Sequence, residues 1–157
     1  MSDSAREAAL NALASRLFAS YQGVNGDGST GFKNALAVAR RLVHWDNVPR
    51  DQQPTFYLID HEETAVRQQI LGVRTIQAMA WVYAAIDLTD PAVVGSMILN
   101  SFLDGFEAAL APSPAEPGRQ TLGGLASEVF VEGTLLKDPG DLEGQALLMV
   151  PIKLRLP

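Results

Sequence analysis

The end of the chain constrains the fold most. From Gln145 to Leu156 the residues alternate. Ala146, Leu148, Val150, Ile152, Leu154 and Leu156 form one set, and Gln145, Leu147, Met149, Pro151, Lys153 and Arg155 the other. A period of two marks a strand with one face in a core. Upstream, Asp138-Pro-Gly-Asp141 has turn chemistry, and Glu128-Val-Phe-Val-Glu-Gly133 reads as an earlier strand. The last third is therefore predicted as a strand, a tight loop and a return strand. Pro151 has no amide hydrogen to give to a ladder, so it predicts a sheet edge or a bulge.

Residues 73–86 are apolar in both alternating sets. Ile76, Ala78, Ala80, Val82, Ala84 and Ile86 form one, and Met79, Trp81 and Tyr83 the other. This predicts a central strand covered on both sides. The small alanines admit a helix on one side, and a second subunit is a candidate cover for the other. Thr55-Phe-Tyr-Leu-Ile-Asp60 is predicted as a short buried strand, and the polar stretch Glu62 to Gly72 as an excursion.

Two helices follow from periodicity. Leu10, Leu13, Ala14, Leu17, Phe18 and Tyr21 recur at helical spacing over residues 3–21, with Glu7, Asn11 and Ser15 opposite and Ser2 or Asp3 as the cap. Asp90-Pro91 predicts the start of a second helix running to about Leu110. Its stripe is Ile98, Leu99, Phe102, Phe106, Ala109 and Leu110, and Pro112 stops it. The glycine-rich 23–31 stretch and the polar 46–54 stretch are loops, and 113–118 is a proline-rich connection. Residues 34–44 stay open between two readings, because their propensity is helical while Leu36, Val38, Arg40 and Leu42 alternate. No repeat divides the chain, so residues 1–157 are read as a single α/β (α+β) domain, a mostly antiparallel or mixed sheet with two main helices packed on it.

Bulk properties exclude several classes. At 157 residues with 47% hydrophobic and 19% charged, the chain can bury a core and is not disordered. The net charge of −6 makes it a poor non-specific partner for DNA or anionic membranes. The absence of cysteine excludes disulfides and thiolate metal sites. The polar start is not read as a signal peptide, no apolar run matches a membrane span, and a cytosolic origin fits.

No motif carries catalytic chemistry. Asn25-Gly-Asp-Gly-Ser29 lacks the flanking acids of a calcium loop, with Gly23 and Asn34 in their places. His61-Glu-Glu63 has Ala65 where a zinc-binding helix needs its second histidine, and His44 lies far away in sequence. Gly123-Gly124 is followed by Leu125-Ala-Ser, so it reads as turn geometry and not as a phosphate cradle. Gly95-Ser-Met departs from a nucleophile elbow. The expectation is no enzyme activity, no cofactor and no metal. One basic and aromatic concentration remains, Arg40-Arg41 beside His44-Trp45. Its plain reading is a solvated pair with a packed Trp. Its functional reading is a partner contact, since Arg and Trp are enriched at binding hot spots.

Several motifs, taken in order, resemble the tail terminator (tail completion) family of long-tailed bacteriophages. They are the Leu-rich first helix, Arg40-Arg-Leu42 with Trp45, Pro54 before a short strand, Tyr83 at a strand end, Leu99-Asn100 and Leu103-Asp104. The closing block, Gln120-Thr-Leu-Gly-Gly124, the acidic strand to Gly133, the Asp-Pro-Gly-Asp-Leu turn and Val150-Pro-Ile152, completes the likeness. The resemblance implies a strand at 34–44. It also implies a homohexameric ring on the end of the tail tube, which stops tube polymerisation and offers a surface to the head-tail connector. The virion neck is the implied location, after assembly in the host cytoplasm. The genome would pass through an acidic lumen without specific binding, and no membrane is involved. Arg40, Arg41, Trp45, Leu147 and Met149 are the candidate protein-interface residues, with Met79 and Trp81 in the same outward apolar set. Another neck protein, or a small-molecule-binding α/β domain using a pocket between the second helix and the sheet, are the alternatives.

Overall fold

A computed structural model describes residues 4–68, 71–114 and 116–157. Among them are two α-helices, α1 (Ala5–Ala19) and α2 (Gly95–Ala109), and five strands. The strands are β1 (Thr55–Gln68), β2 (Leu71–Ala85), β3 (Glu128–Val131), β4 (Leu136–Asp138) and β5 (Gln145–Arg155). The strands form one sheet in the order β1-β2-β5-β3, with β4 also on β5, and each pairing is antiparallel. The expected α+β domain with two helices on a largely antiparallel sheet is what the chain forms.

Both helices pack on one face of that sheet. Leu10, Leu13, Ala14 and Leu17 of α1 and Leu99, Phe102, Leu103 and Phe106 of α2 share one buried cluster with the sheet. The sheet contributes Phe56, Leu58, Ala78, Ala80, Val82, Leu148, Val150 and Ile152, among others. The β2 alanines keep that face low and let the helices approach. Phe32 joins the layers. Its ring centroid lies 5.7 Å from Phe18, 5.4 Å from Phe56, 5.6 Å from Phe102 and 5.2 Å from Tyr21.

Four expectations are corrected. The 62–72 stretch is not an excursion. β1 and β2 pair from Thr55↔Tyr83 to Gln68↔Leu71, with a bulge between Asp60 and Glu62, so the polar stretch is half of a long hairpin. It reads as polar because both of its faces are wet beyond the body of the sheet. Residues 34–44 form neither strand nor helix. They hold a single 3₁₀ turn, Leu36–Val38, inside an irregular strap. The second helix starts at Gly95 and not at Asp90, whose carboxylate instead accepts the Ala92 amide in a preceding turn at 2.9 Å. Gly95 is required there, because a Cβ would lie 1.8 Å from the Pro139 carbonyl oxygen. Ser4 caps α1 by accepting the Glu7 amide, while Ser2 and Asp3 lie outside the described residues.

Pro151 is not on an outer edge strand, but a break in the ladder between β3 and β4 leaves it at a local edge of β5. It pairs with Met79 inside the sheet. Its carbonyl accepts the Glu132 amide, so its nitrogen faces the gap where β3 ends and β4 has not begun. The sheet has no bond to lose at that point.

Candidate functional site

The face of the sheet away from the helices is the surface that the fold leaves for function. Residues directly opposite in neighbouring strands share a face, so the register assembles it row by row. Thr55, Tyr83, Leu147 and Asp138 form one row, and Tyr57, Trp81, Met149 and Leu136 the next. Ile59, Met79 and Pro151 form a third. Ile59, Met79, Trp81, Phe130, Leu147, Met149 and Pro151 are all partly exposed, and Leu136 is 53% exposed. Leu147 and Met149 are therefore where the alternation put them, beside Met79 and Trp81. Charge borders this apolar field on the β3 side. Lys153 pairs with Glu132 at 2.9 Å and Arg155 with Glu128 at 3.1 Å, and the Arg155 guanidinium lies 5.2 Å from the Phe130 ring centroid.

One end of the open face is sealed by the 34–48 strap, which folds around the outer edge of β1. The Asn34 side-chain amide donates to the Phe56 carbonyl at 2.7 Å, and its oxygen accepts the Phe56 amide at 3.0 Å. Two residues on, the Leu58 amide donates to the Ala39 carbonyl at 2.8 Å, and Arg40 Nε donates to the Leu58 carbonyl. A side-chain amide and a guanidinium thus stand in for a neighbouring strand, which removes a template for wrong pairing. Beyond Leu58, among the described residues, the outer edge of β1 meets no backbone partner.

The strap then reaches the open face. The Tyr83 hydroxyl donates to the Val43 carbonyl at 2.9 Å, and Tyr57 packs against Tyr83 with centroids 5.6 Å apart. Burial pushes the Tyr83 phenol up to about 12, with Tyr57 beside it adding to the shift.

The basic and aromatic candidates divide accordingly. Arg40 is turned inward and reaches the carboxylates of Asp60 (2.8 Å) and Glu7 (3.3 Å) and the Asn11 amide oxygen (3.2 Å). It ties α1 to the β1 edge. Arg41 is exposed, and lines an open depression with Val38, Leu42, His44 and Tyr57. Trp45 is 38% exposed and stacks loosely on His44, centroids 5.1 Å apart. Arg40 thus meets acids of this chain while Arg41 faces solvent, and both are held by the strap and not by a strand. Arg41 and Trp45 border the strap end of the sheet, whereas Leu147 and Met149 lie within its open face. Sequence reasoning missed Ile59, Phe130 and Leu136 on this face. The alternation of β1 marks Ile59, but Leu136 is oriented only by its pairing with Met149.

The remaining motifs are occupied by the fold. Asp27 accepts the Ser29 amide and hydroxyl and pairs with Lys33, whose ammonium holds the carboxyl well below its usual range. Gly123 and Gly124 adopt φ of 71° and 93° in a turn closed by the Gly124 amide on the Thr121 carbonyl. His44 and His61 are both exposed. Among the described residues no group of three or more His, Cys, Asp or Glu can hold a metal ion, and no helix is long and apolar enough to cross a membrane. No protein-family model matches the chain, and no curated protein matches it in sequence.

Proposed function

We propose that this chain is a structural component of a phage virion, a tail terminator that assembles as a ring on the end of the tail tube. There it stops tube polymerisation and presents a surface to the head-tail connector. The reading joins the ordered motifs of the sequence to one structural observation. Among the described residues the sheet has helices on one face only, and its other face carries Met79, Trp81, Leu147, Met149 and Leu136 with no described element over its centre. A contiguous apolar field bordered by charge is a protein-binding surface more often than a solvated one. Arg41 and Trp45 extend it at the strap end. In this reading the protein is not an enzyme and uses no cofactor or metal. Its ring contains only copies of itself, the genome passes without specific contacts, and a net charge of −6 keeps duplex DNA from sticking.

The test is Met149→Lys, which puts a charge into the centre of the open face. Folded stability should change by less than about 1 kcal/mol, because the side chain is partly exposed. Tail tubes grown with the variant should run past their normal length and fail to join heads. A wild-type chain that stays monomeric with tube protein present, or a variant that still yields tails of normal length, would overturn the proposal.

A further inference from the structure

The hairpin formed by β1 and β2 outruns the rest of the sheet. β5 flanks β2 only as far as Thr75↔Arg155, so β2 continues toward Leu71 with β1 alone beside it. This arm is basic in an otherwise acidic protein. Residues 64–75 contain Arg67 and Arg74 and no Asp or Glu. The register pairs Ala65 with Arg74 and Arg67 with Gly72, so both arginines stand on the same face of the arm with small residues between them. They border a shallow depression with Val66 and Val73. Arg67 makes no ion pair among the described residues, and Arg74 is shared at 3.5 Å with Glu63.

The opposite end of the sheet carries the complement. The loop from Asp138 to Gly144 holds Asp138, Asp141 and Glu143 and no basic residue. None of the three acids makes an ion pair among the described residues. Between two of them Leu142 is 94% exposed, the highest value of any large apolar side chain described. This loop is braced. Arg50 donates to the Gly144 carbonyl at 2.8 Å and to the Ile86 carbonyl at 2.6 Å, the Gly144 amide closes on the Gly140 carbonyl, and Gly95 packs against Pro139. A rigid turn that presents a bare leucine among three unpaired acids contributes nothing to this chain's own core.

Arm and loop cannot meet within one molecule. β5 starts at Gln145 opposite Ala85 and ends at Arg155 opposite Thr75, so the loop and the arm lie at opposite ends of β2. At about 3.3 Å per residue, the fifteen residues of β2 hold them on the order of 45 Å apart. We infer that a second copy of this chain is the occupant: the acidic Asp138–Gly144 loop of one molecule docks on the Arg67/Arg74 face of the next, with Leu142 entering the notch over Ala65 and Gly72. The contact is head to tail, so each pair keeps one free arm and one free loop. Repetition closes a ring or continues as a filament. Copies of net charge −6 repel in most orientations, and this local complementarity selects one. The inference rests on the ring reading for its closure only, since the contact itself needs no tail tube.

The experiment uses the full chain in sedimentation and native mass measurement. Three variants are compared with it: R67E/R74E, D141K/E143K, and one chain carrying all four changes. The wild type should self-associate, and more weakly as salt rises from about 50 mM to about 500 mM. Each double reversal should weaken association at least about tenfold, and the fourfold chain should recover it to within a few-fold. An equimolar mixture of the two double variants should assemble by alternation to species as large as the wild type forms, since the acidic loop of one meets the basic arm of the other and the lysine loop meets the glutamate arm. All variants should melt with the wild type, since the changed side chains are exposed. A strictly monomeric wild type, reversals without effect, or a fourfold chain that fails to recover would each overturn the inference. Tube capping is scored separately. Capping that survives both reversals sinks this contact and leaves the terminator reading standing, whereas salt-sensitive rings that cap no tube do the opposite.

Discussion

The two faces of the sheet come from the same strands, yet they are built for different ends. Along β2, Ala78, Ala80 and Val82 point to the helices and are buried, while Met79 and Trp81 between them point away and stay partly exposed. Along β5, Leu148, Val150 and Ile152 go one way and Leu147, Met149 and Pro151 the other. On β2 the covered face uses small residues so that helices can sit close. The bare face uses large ones that no helix covers. The difference teaches where stability and function reside. Most of the burial that stabilises the fold is on the helix side, so the other side can change its chemistry at low cost to folding.

The comparison breaks most sharply at Phe32. That ring is 6% exposed and touches Phe18, Phe56, Phe102, Phe106 and Tyr21, joining both helices to the sheet. Phe32→Ala should lower stability by about 3–5 kcal/mol, as the loss of a fully packed aromatic does. Denaturant melts of the purified variant measure this. A loss below about 1 kcal/mol would mean that the covered face does not hold the fold together as described.

A smaller effect is expected where the covered face meets the strap. Arg40→Ala removes the donor to the Leu58 carbonyl and the pairs with Asp60 and Glu7. It should cost about 2 kcal/mol, because hydrogen bonds to charged partners are lost and the β1 edge is opened. Arg41→Ala, one residue on and exposed, should stay within about 0.5 kcal/mol. Equal losses for the two arginines would erase the distinction between an inward clamp and an outward rim.

The sequence made some of this legible and hid the rest for physical reasons. β5 and both helices could be read because each has one buried side, and burial imposes a period on the residues. The arm could not. Val66 and Val73 pair at a position where neither sheet face is covered, so polarity there reports solvent and says nothing of the backbone. The 34–44 segment misled both propensity and family likeness, because its shape is set by the edge of a strand some twenty residues away, through Asn34 and Arg40. Phe32 follows a glycine-rich loop and belongs to no periodic run, so nothing local marks it as the centre of the core. At the candidate site, Leu147 and Met149 were legible from alternation. The strap that seals Tyr83 was not, because its contact is a single side-chain hydroxyl on a distant carbonyl.

That hydroxyl gives a smaller effect than Phe32 or Arg40 and locates the border between the sealed and the bare parts of the open face. Tyr83 is on the bare side of the sheet yet only 1% exposed, because the strap covers it and Val43 accepts its proton at 2.9 Å. Tyr83→Phe keeps the ring and removes only that bond, so it should cost about 1 kcal/mol at neutral pH. The pH dependence separates this from a packing defect. Burial raises the folded phenol to about 12, so the folded chain holds that proton more tightly than the unfolded one. The unfolded chain therefore loses it first, and the contribution to stability is whole below about pH 10 and falls as pH climbs through the folded value. In Tyr83→Phe that part of the alkaline decline should vanish, and the gap between variant and parent should shrink as pH rises from 10 toward 12. Tyr21, also raised by burial, titrates in both proteins and cancels in the difference. A gap that stays constant across that window would show that the strap does not bury the Tyr83 hydroxyl, and the open face would then extend to Thr55.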